Sequence, residues 1–399
     1  MRKTLLVWFG LTAVASAKVT YSKDVAGILN KRCVECHRKG EPAPMALTSY
    51  KEVRPWAAAI REAVASTKMP PWLADPAHGV FKNDRRLTDA EKQTIVQWVK
   101  DGAQEGNSKD LPALPEFVEG WNIGKPDIVF DIGADFDVPA SGVVPYKYFR
   151  VPSNFTEDMW VEAAEIRPDK RDVVHHVIVF MIDPTGQVRG GDGSNLLIGF
   201  APGDPALALE PGTAKLVKAG TTFNIQMHYT PNGKAGFVDR TRFGLRFAKK
   251  PVTRQAITGR ALQFNLKIPP GDPNYEVKST WTAKDDVEIH GFMPHMHVRG
   301  KDFQYTVVYP DGRSEIALKV PKYDFNWQLS YALTEPLKLP KGTRIDCVAH
   351  YDNSANNKSN PDPTKEVRWG DQTWEEMMIG WFDYMVTVKP KMVSTSAGE

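Results

Sequence analysis

The run Val173-Val174-His175-His176-Val177-Ile178-Val179-Phe180-Met181-Ile182 decides the architecture of most of this chain. It is dense in β-branched residues and follows a turn-like Asp169-Lys170-Arg171-Asp172, so it reads as a buried-looking strand. Comparable short runs recur from about residue 128 onward, at 221–229, 303–309 and 344–351. Gly, Pro, Asn and Asp separate them, and Pro310-Asp311-Gly312 is a good turn signal. Many short strands with such punctuation point to β-sandwiches. Roughly 260 residues is large for one sandwich, so two are expected, dividing near 250–260.

The stretch before residue 110 has a different texture. Ser49-Tyr50-Lys51-Glu52 is a capping box, followed by Val53, Trp56, Ala57, Ile60 and Val64 at helical spacing. Thr88-Asp89-Ala90-Glu91 is another, leading into Ile95, Trp98 and Val99 with Gly102 as a stop. Residues 18–110 are therefore expected to form a small all-α domain. Residues 111–127, with Pro112, Pro115 and Pro126, read as a linker. The two sandwiches then take 128–255 and 256–390, and 391–399 is expected to be a mobile tail.

The chain has 399 residues, 42% hydrophobic and 25% charged, in the range of ordinary globular proteins. Its formal charge of +3 comes without a basic block, which argues against nucleic acid or an anionic membrane surface as a partner. Met1-Arg2-Lys3, a mostly apolar 5–14 and Ala15-Ser16-Ala17 fit a cleaved export signal over residues 1–17. The expected location is secreted or periplasmic, with no membrane span after cleavage. Of three cysteines, two belong to one motif, leaving Cys347 in a strand-like run as a small buried hydrophobe.

That motif is Cys33-Val34-Glu35-Cys36-His37, the CxxCH pattern that attaches haem c, with His37 as the proximal iron ligand. A zinc site would need further Cys or His nearby, and His78 is the lone such residue in the segment. The expected sixth ligand is Met69, in the loop Met69-Pro70-Pro71-Trp72, because methionine–histidine ligation suits electron transfer. Met45 is the rival and His78 the third choice.

The remaining histidines group in two places. His295 and His297 flank one residue, and on a strand such positions share a face and can grip one metal. Imidazole suits copper, zinc, iron or nickel; a thioether from Met377 would favour cuprous copper. The plainer alternative is satisfied surface histidines and a core methionine. His175 and His176 are adjacent, so a regular strand would send them to opposite faces, and both reach one metal only if the strand bulges or starts there. His228 shares an alternating face with Asn224 and Gln226 and could simply be solvent-exposed. A three-histidine set is compatible with zinc as well. His290 and His350 are expected to be structural.

Taken together, Val174-His175-His176-Val177-Ile178-Val179-Phe180, Gln226-Met227-His228-Tyr229, His295-Met296-His297-Val298-Arg299-Gly300-Lys301 and Glu375-Glu376-Met377 occur in an order that resembles the copper type II, ascorbate-dependent monooxygenases. That family includes the peptidylglycine α-hydroxylating and dopamine β-monooxygenases. The resemblance covers about residues 128–388 and implies two antiparallel jelly-roll sandwiches, each holding one copper. It implies that His175, His176 and His228 bind the electron-storing copper, and that His295, His297 and Met377 bind the copper that activates dioxygen. This chain departs from the family in having no disulfides available. It also has Met293 and Trp381 where the peptide-processing members carry an Arg and a Tyr. A peptide carboxylate would lose its charge-assisted partner, so peptide amidation is not carried over and a less polar substrate is expected.

The expectation is thus a multidomain protein, a small all-α cytochrome c domain followed by an all-β pair of sandwiches, binding two copper ions and one covalent haem c. Its expected activity is copper-dependent monooxygenation, the hydroxylation of a C–H bond of a small organic substrate by dioxygen. Electrons would come from ascorbate or a redox protein through the attached haem. The alternative is a periplasmic haem and copper electron carrier without oxygenase activity.

Overall fold

The computed structural model describes residues 18–41, 43–118, 120–185, 195–201 and 205–388. The expected export signal at 1–17 and the tail at 391–399 lie outside the described residues. The chain divides into a helical unit and a larger β unit. No described helix is long and apolar enough to cross a membrane.

The helical unit comprises residues 18–39, 43–70 and 87–115. Its helices are Ala26–Arg32, Tyr50–Val53, Ala57–Ala65 and Asp89–Lys100. Thr88 and Glu91 form the reciprocal box expected from sequence, at 3.1 and 2.7 Å. At the earlier cap the Ser49 hydroxyl accepts from Glu52 N at 3.4 Å, and the Glu52 carboxylate accepts from Thr48 N at 3.1 Å. The apolar stripes of these helices meet in one core containing Leu29, Val53, Ile60, Val64, Ile95 and Trp98.

Three stretches expected elsewhere belong to the β unit, the first of them the short piece at residues 40–41. Residues 71–86 leave the helical segment. The reason is aromatic packing: the Trp72 ring meets Tyr331 at 4.9 Å and Phe81 at 6.0 Å inside the second sandwich's core. Asn83 ties the segment down, donating to Ser330 O at 2.8 Å and accepting from Ala332 N at 3.0 Å. The far half of the expected linker is also built in, since the Glu165 carboxylate accepts from Asn122 Nδ2 at 2.9 Å and from Ile123 N at 3.2 Å.

The β unit consists of two sandwiches with separate cores. In the first, one sheet runs in the order Lys147–Pro152, Thr222–Tyr229, Val174–Ile182, Leu196–Phe200. Opposite it lies Ile128–Asp131, Arg242–Phe247, Met159–Arg167, Thr213–Val217. In the second, Arg254–Leu262, Ile379–Thr387, Val287–His295 and Tyr331–Leu339 form one sheet. Its partner is Tyr275–Thr282, Arg344–Tyr351, Gly300–Val308, Ser314–Val320. Alternation explains the layers: Val177, Val179, Phe223, Ile225 and Met227 point into the first core and are essentially sealed from solvent. Each such side chain contributes about 1.5–3 kcal/mol of burial.

A short parallel pairing, Arg254 with Thr213 and Gln255 with Ala214, makes one sheet of each sandwich continuous with the other. The outward faces of the remaining neighbours, carrying Ile178, Phe180 and Leu196 on one side and Met377, Ile379 and Trp381 on the other, pack together. Lys215 crosses this seam. Its buried ammonium donates to Leu197 O and Thr258 Oγ1, both at 2.8 Å, and the Thr258 hydroxyl donates to Asp383 at 2.6 Å. Both histidine clusters open onto the same seam.

Candidate functional site

The paired histidines on Val174–Ile182 solve their geometric problem by a bulge. Val174 pairs with Tyr229 and His176 with His228, so the register slips by one residue between them. His175 is the extra residue, and the slip turns both imidazoles outward while Val174 and Val177 stay in the core. His228, cross-strand from His176, completes the set. The three offer one ligand atom each within 4.8 Å of one another. The His175 and His176 Nδ1 atoms lie 3.3 Å apart, and the buried His228 Nδ1 has no hydrogen-bond partner.

The solvent-exposed alternative for His228 does not hold, because Tyr146 of its own sandwich and Phe325 of the second cover this face. Tyr146 lies 4.7 Å from the His228 ring and 5.3 Å from His176. Phe325 stacks on His175 at 5.8 Å. Burial lowers the basicity of all three imidazoles, His228 to about 3 and His176 well below its ordinary value. They are neutral at physiological pH, the form a metal needs.

The second cluster is assembled by hydrogen bonds. His295 pairs with Ile379 at the end of Val287–His295, two residues along the chain from Met377. The His295 Nδ1 meets Gln328 Oε1 at 2.6 Å, and the His297 Nδ1 meets Glu375 O at 3.1 Å. Both acceptors place the proton on Nδ1 and leave the lone pair on Nε2. The His297 Nε2 is buried without a partner. Glu376, fully buried, accepts from His297 N at 2.8 Å and Arg299 N at 2.7 Å, clamping the His-Met-His turn. Burial pushes its carboxyl up to about 8, while it lowers His295 to about 4 and His297 to about 3. Tyr351 Oη donates to Met377 O at 2.7 Å, fixing that residue's backbone. Gly300 is required here, because a Cβ would come within 2.7 Å of Met296 Cβ and 2.9 Å of Tyr323.

The surroundings of Met377 are apolar: Leu196, Ile379 and Trp381, with half-buried Ile178, Phe180, Leu262 and Met293 beside them. The Arg260 guanidinium lies over the Trp381 ring at 5.4 Å. The two clusters border one phenyl ring, Phe325, whose centroid lies 5.8 Å from that of His175 and 6.0 Å from that of His297.

In the helical unit, Cys33-Val34-Glu35-Cys36-His37 follows directly from Ala26–Arg32, with His37 N donating to Cys33 O at 2.9 Å. Cys33 is half-buried against the helical core, and burial pushes its thiol up to about 12. The His37 Nδ1 meets Met45 O at 3.2 Å, which directs Nε2 outward as an iron ligand would require. This contact puts the Met45 carbonyl on the side of the His37 ring away from Nε2. Met69 is half-buried in the same unit as His37, its N–H donating to Ala63 O at 3.1 Å. His78 lies in 71–86 and so belongs to the other unit.

His350 Nδ1 meets Asp302 Oδ1 at 2.7 Å, and His290 Nε2 lies 3.8 Å from Glu288 Oε2. Cys347 is buried in the second core. Tyr146, Phe325, Gln328 and Glu376 escape a reading of the sequence. Only Glu376 carried a signal, its place beside Met377.

No family model matches the chain, and no curated protein matches it. Solved structures that it resembles include the major capsid protein P2 of bacteriophage PM2, at 8% identity and a TM-score of 0.25, covering 66% of this chain and 99% of that one. An infectious bursal disease virus structure (Gt strain) matches at 7% identity and 0.20, covering 67% and 72%. A Paenibacillus xanthan lyase matches at 10% and 0.18, covering 71% and 29%. Likenesses this slight carry no argument about function.

Proposed function

We propose that this chain is an exported copper-dependent monooxygenase that hydroxylates a C–H bond of a small organic substrate with dioxygen, drawing electrons through a c-type haem on its own helical domain. In this reading the sandwiches are jelly rolls of the copper type II monooxygenase kind. One observation carries it. The bulge between Val174 and His176 gathers three neutral imidazoles, the buried His228 Nδ1 without a partner, and a second imidazole pair has both Nδ1 atoms bonded and a buried His297 Nε2 without a partner.

The donor sets suit copper. Three imidazoles accept either oxidation state, and a thioether beside two imidazoles favours the cuprous form. Copper at these positions supplies one-electron redox chemistry and dioxygen activation. The chain's own residues do the rest. His175, His176 and His228 would hold one ion, His295, His297 and Met377 the other. Gln328 and the Glu375 carbonyl keep His295 and His297 in the ligating tautomer. Glu376 fixes the turn between them, and Met293, Ile379 and Trp381 would present an apolar wall to the substrate and exclude water. Cys33, Cys36 and His37 would attach the haem with Met69 as sixth ligand, tethering a one-electron donor at high effective concentration.

Metal and haem stoichiometry on exported, reconstituted protein tests this first. Two coppers and one haem per chain are expected, with oxygen uptake matched to a hydroxylated product under ascorbate or a reduced redox protein. Full metal loading without coupled oxygen uptake would instead favour an electron carrier.

A further inference from the structure

Residues 321–330, between the Ser314–Val320 and Tyr331–Leu339 strands, touch both histidine clusters. Tyr323 Oη donates to Met296 O at 2.7 Å and accepts from Met296 N at 3.1 Å, holding the residue between His295 and His297. Gln328 holds the His295 ring. Between them Phe325 reaches the other sandwich. Its ring stacks on His175 at 5.8 Å and 20°, and lies 6.2 Å from His228. It meets His297 edge-on, at 6.0 Å and 80°. One phenyl ring therefore contacts imidazoles of both clusters.

We propose that Phe325 is a positioning residue, a rigid apolar spacer that fixes the separation of the two metal sites and keeps each metal with its own ligands. The proposal rests on reading both clusters as metal sites. A phenyl ring has no donor atom, so it cannot ligate. It occupies the space in which water or an imidazole from the opposite cluster would otherwise approach a metal. Its stacking also restrains His175, the bulged residue of the trio and the one outside the regular ladder. Tyr323 and Gln328 anchor the same loop to the second cluster on either side of Phe325.

The test is electron paramagnetic resonance of the full chain loaded with cupric ion, after copper has been counted. Wild type is expected to bind two coppers per chain with one well-defined magnetic interaction between them. Phe325→Ala should keep both coppers and the fold, seen by circular dichroism, yet lose that defined interaction. Phe325→Leu keeps most of the volume but cannot stack, so it should show the same loss even if the alanine variant folds poorly. Phe325→Tyr should restore the wild-type spectrum. Two coppers with an unchanged interaction in Phe325→Leu would overturn the spacer while leaving the metal sites intact. Fewer than two coppers in wild type would overturn the metal-site reading itself, and the spacer with it.

Discussion

The two histidine clusters reach similar endpoints by different means. The trio is a product of backbone register. A single slip between Val174 and His176, and the cross-strand pairing of His176 with His228, bring its rings together. Its ring nitrogens have little hydrogen-bond support: the His175 and His176 Nδ1 atoms face each other, and the His228 Nδ1 has no partner. The His295/His297 pair leans on groups remote in sequence: the Gln328 amide, the Glu375 backbone carbonyl and the Glu376 carboxyl. A site made by register should tolerate changes in its surroundings. One made by hydrogen bonding should fail when a single acceptor is removed.

The strongest test of this contrast is Glu376→Ala. It strips the acceptor from two buried N–H groups, those of His297 and Arg299. A loss of about 2–6 kcal/mol, about 1–3 for each N–H left unsatisfied, is expected in chemical denaturation. The second copper should be lost and the first retained, and equal loss of both would erase the distinction.

The histidines of both clusters and the Glu376 carboxyl should respond oppositely to pH. The five histidines have folded pKa values below their unfolded ones, so the unfolded chain binds more protons as pH falls below about 6.5. Stability of the metal-free protein should therefore be fully present above that pH and be lost as pH falls towards 4, each group contributing up to about 1.4 kcal/mol per unit. Glu376 runs the other way. Its folded pKa, about 8, exceeds the unfolded value, so its contribution is present at low pH and lost as pH rises towards 8. Denaturation midpoints should thus climb from pH 4 to 6.5 and decline gently above it. Glu376→Gln should abolish the decline alone; a decline that persists in this variant contradicts the assignment.

Removing the Gln328 acceptor should have a smaller and more local effect. Gln328→Leu frees the His295 ring from its fixed tautomer, and about 10–100-fold weaker copper binding at the second site is expected. Isothermal titration resolves the two sites, and a shift in the trio's affinity instead would count against separate support. Smallest is Lys215→Met at the seam, which leaves the Leu196 and Leu197 carbonyls and Thr258 without their buried donor. A cost of about 1–3 kcal/mol is expected, read as a lower thermal midpoint with both metal affinities unchanged.

Much of this was legible beforehand. The strand containing His175 and His176 was visible from its β-branched run, and the need for a bulge followed from alternation. The boxes at Ser49 and Thr88 announced their helices. What was not legible depended on partners far along the chain. Trp72 and Phe81 sit between two helical segments, and nothing local says that Tyr331 will claim them. His228 looked solvent-facing because alternation tells which face a residue takes, but not what covers that face.

The sequence alone determined the local periods, the residue types able to ligate a metal or haem, and the conflict at His175-His176 that only a bulge resolves. These follow from geometry within a few residues. Tertiary structure alone decided that the outward faces of two sandwiches meet, that Phe325 and Tyr146 enclose the trio, and that Gln328 and Glu376 support the pair. Burial and hydrogen bonding between distant residues depend on how sheets pack, and packing is a property of the whole unit that no short window of sequence contains.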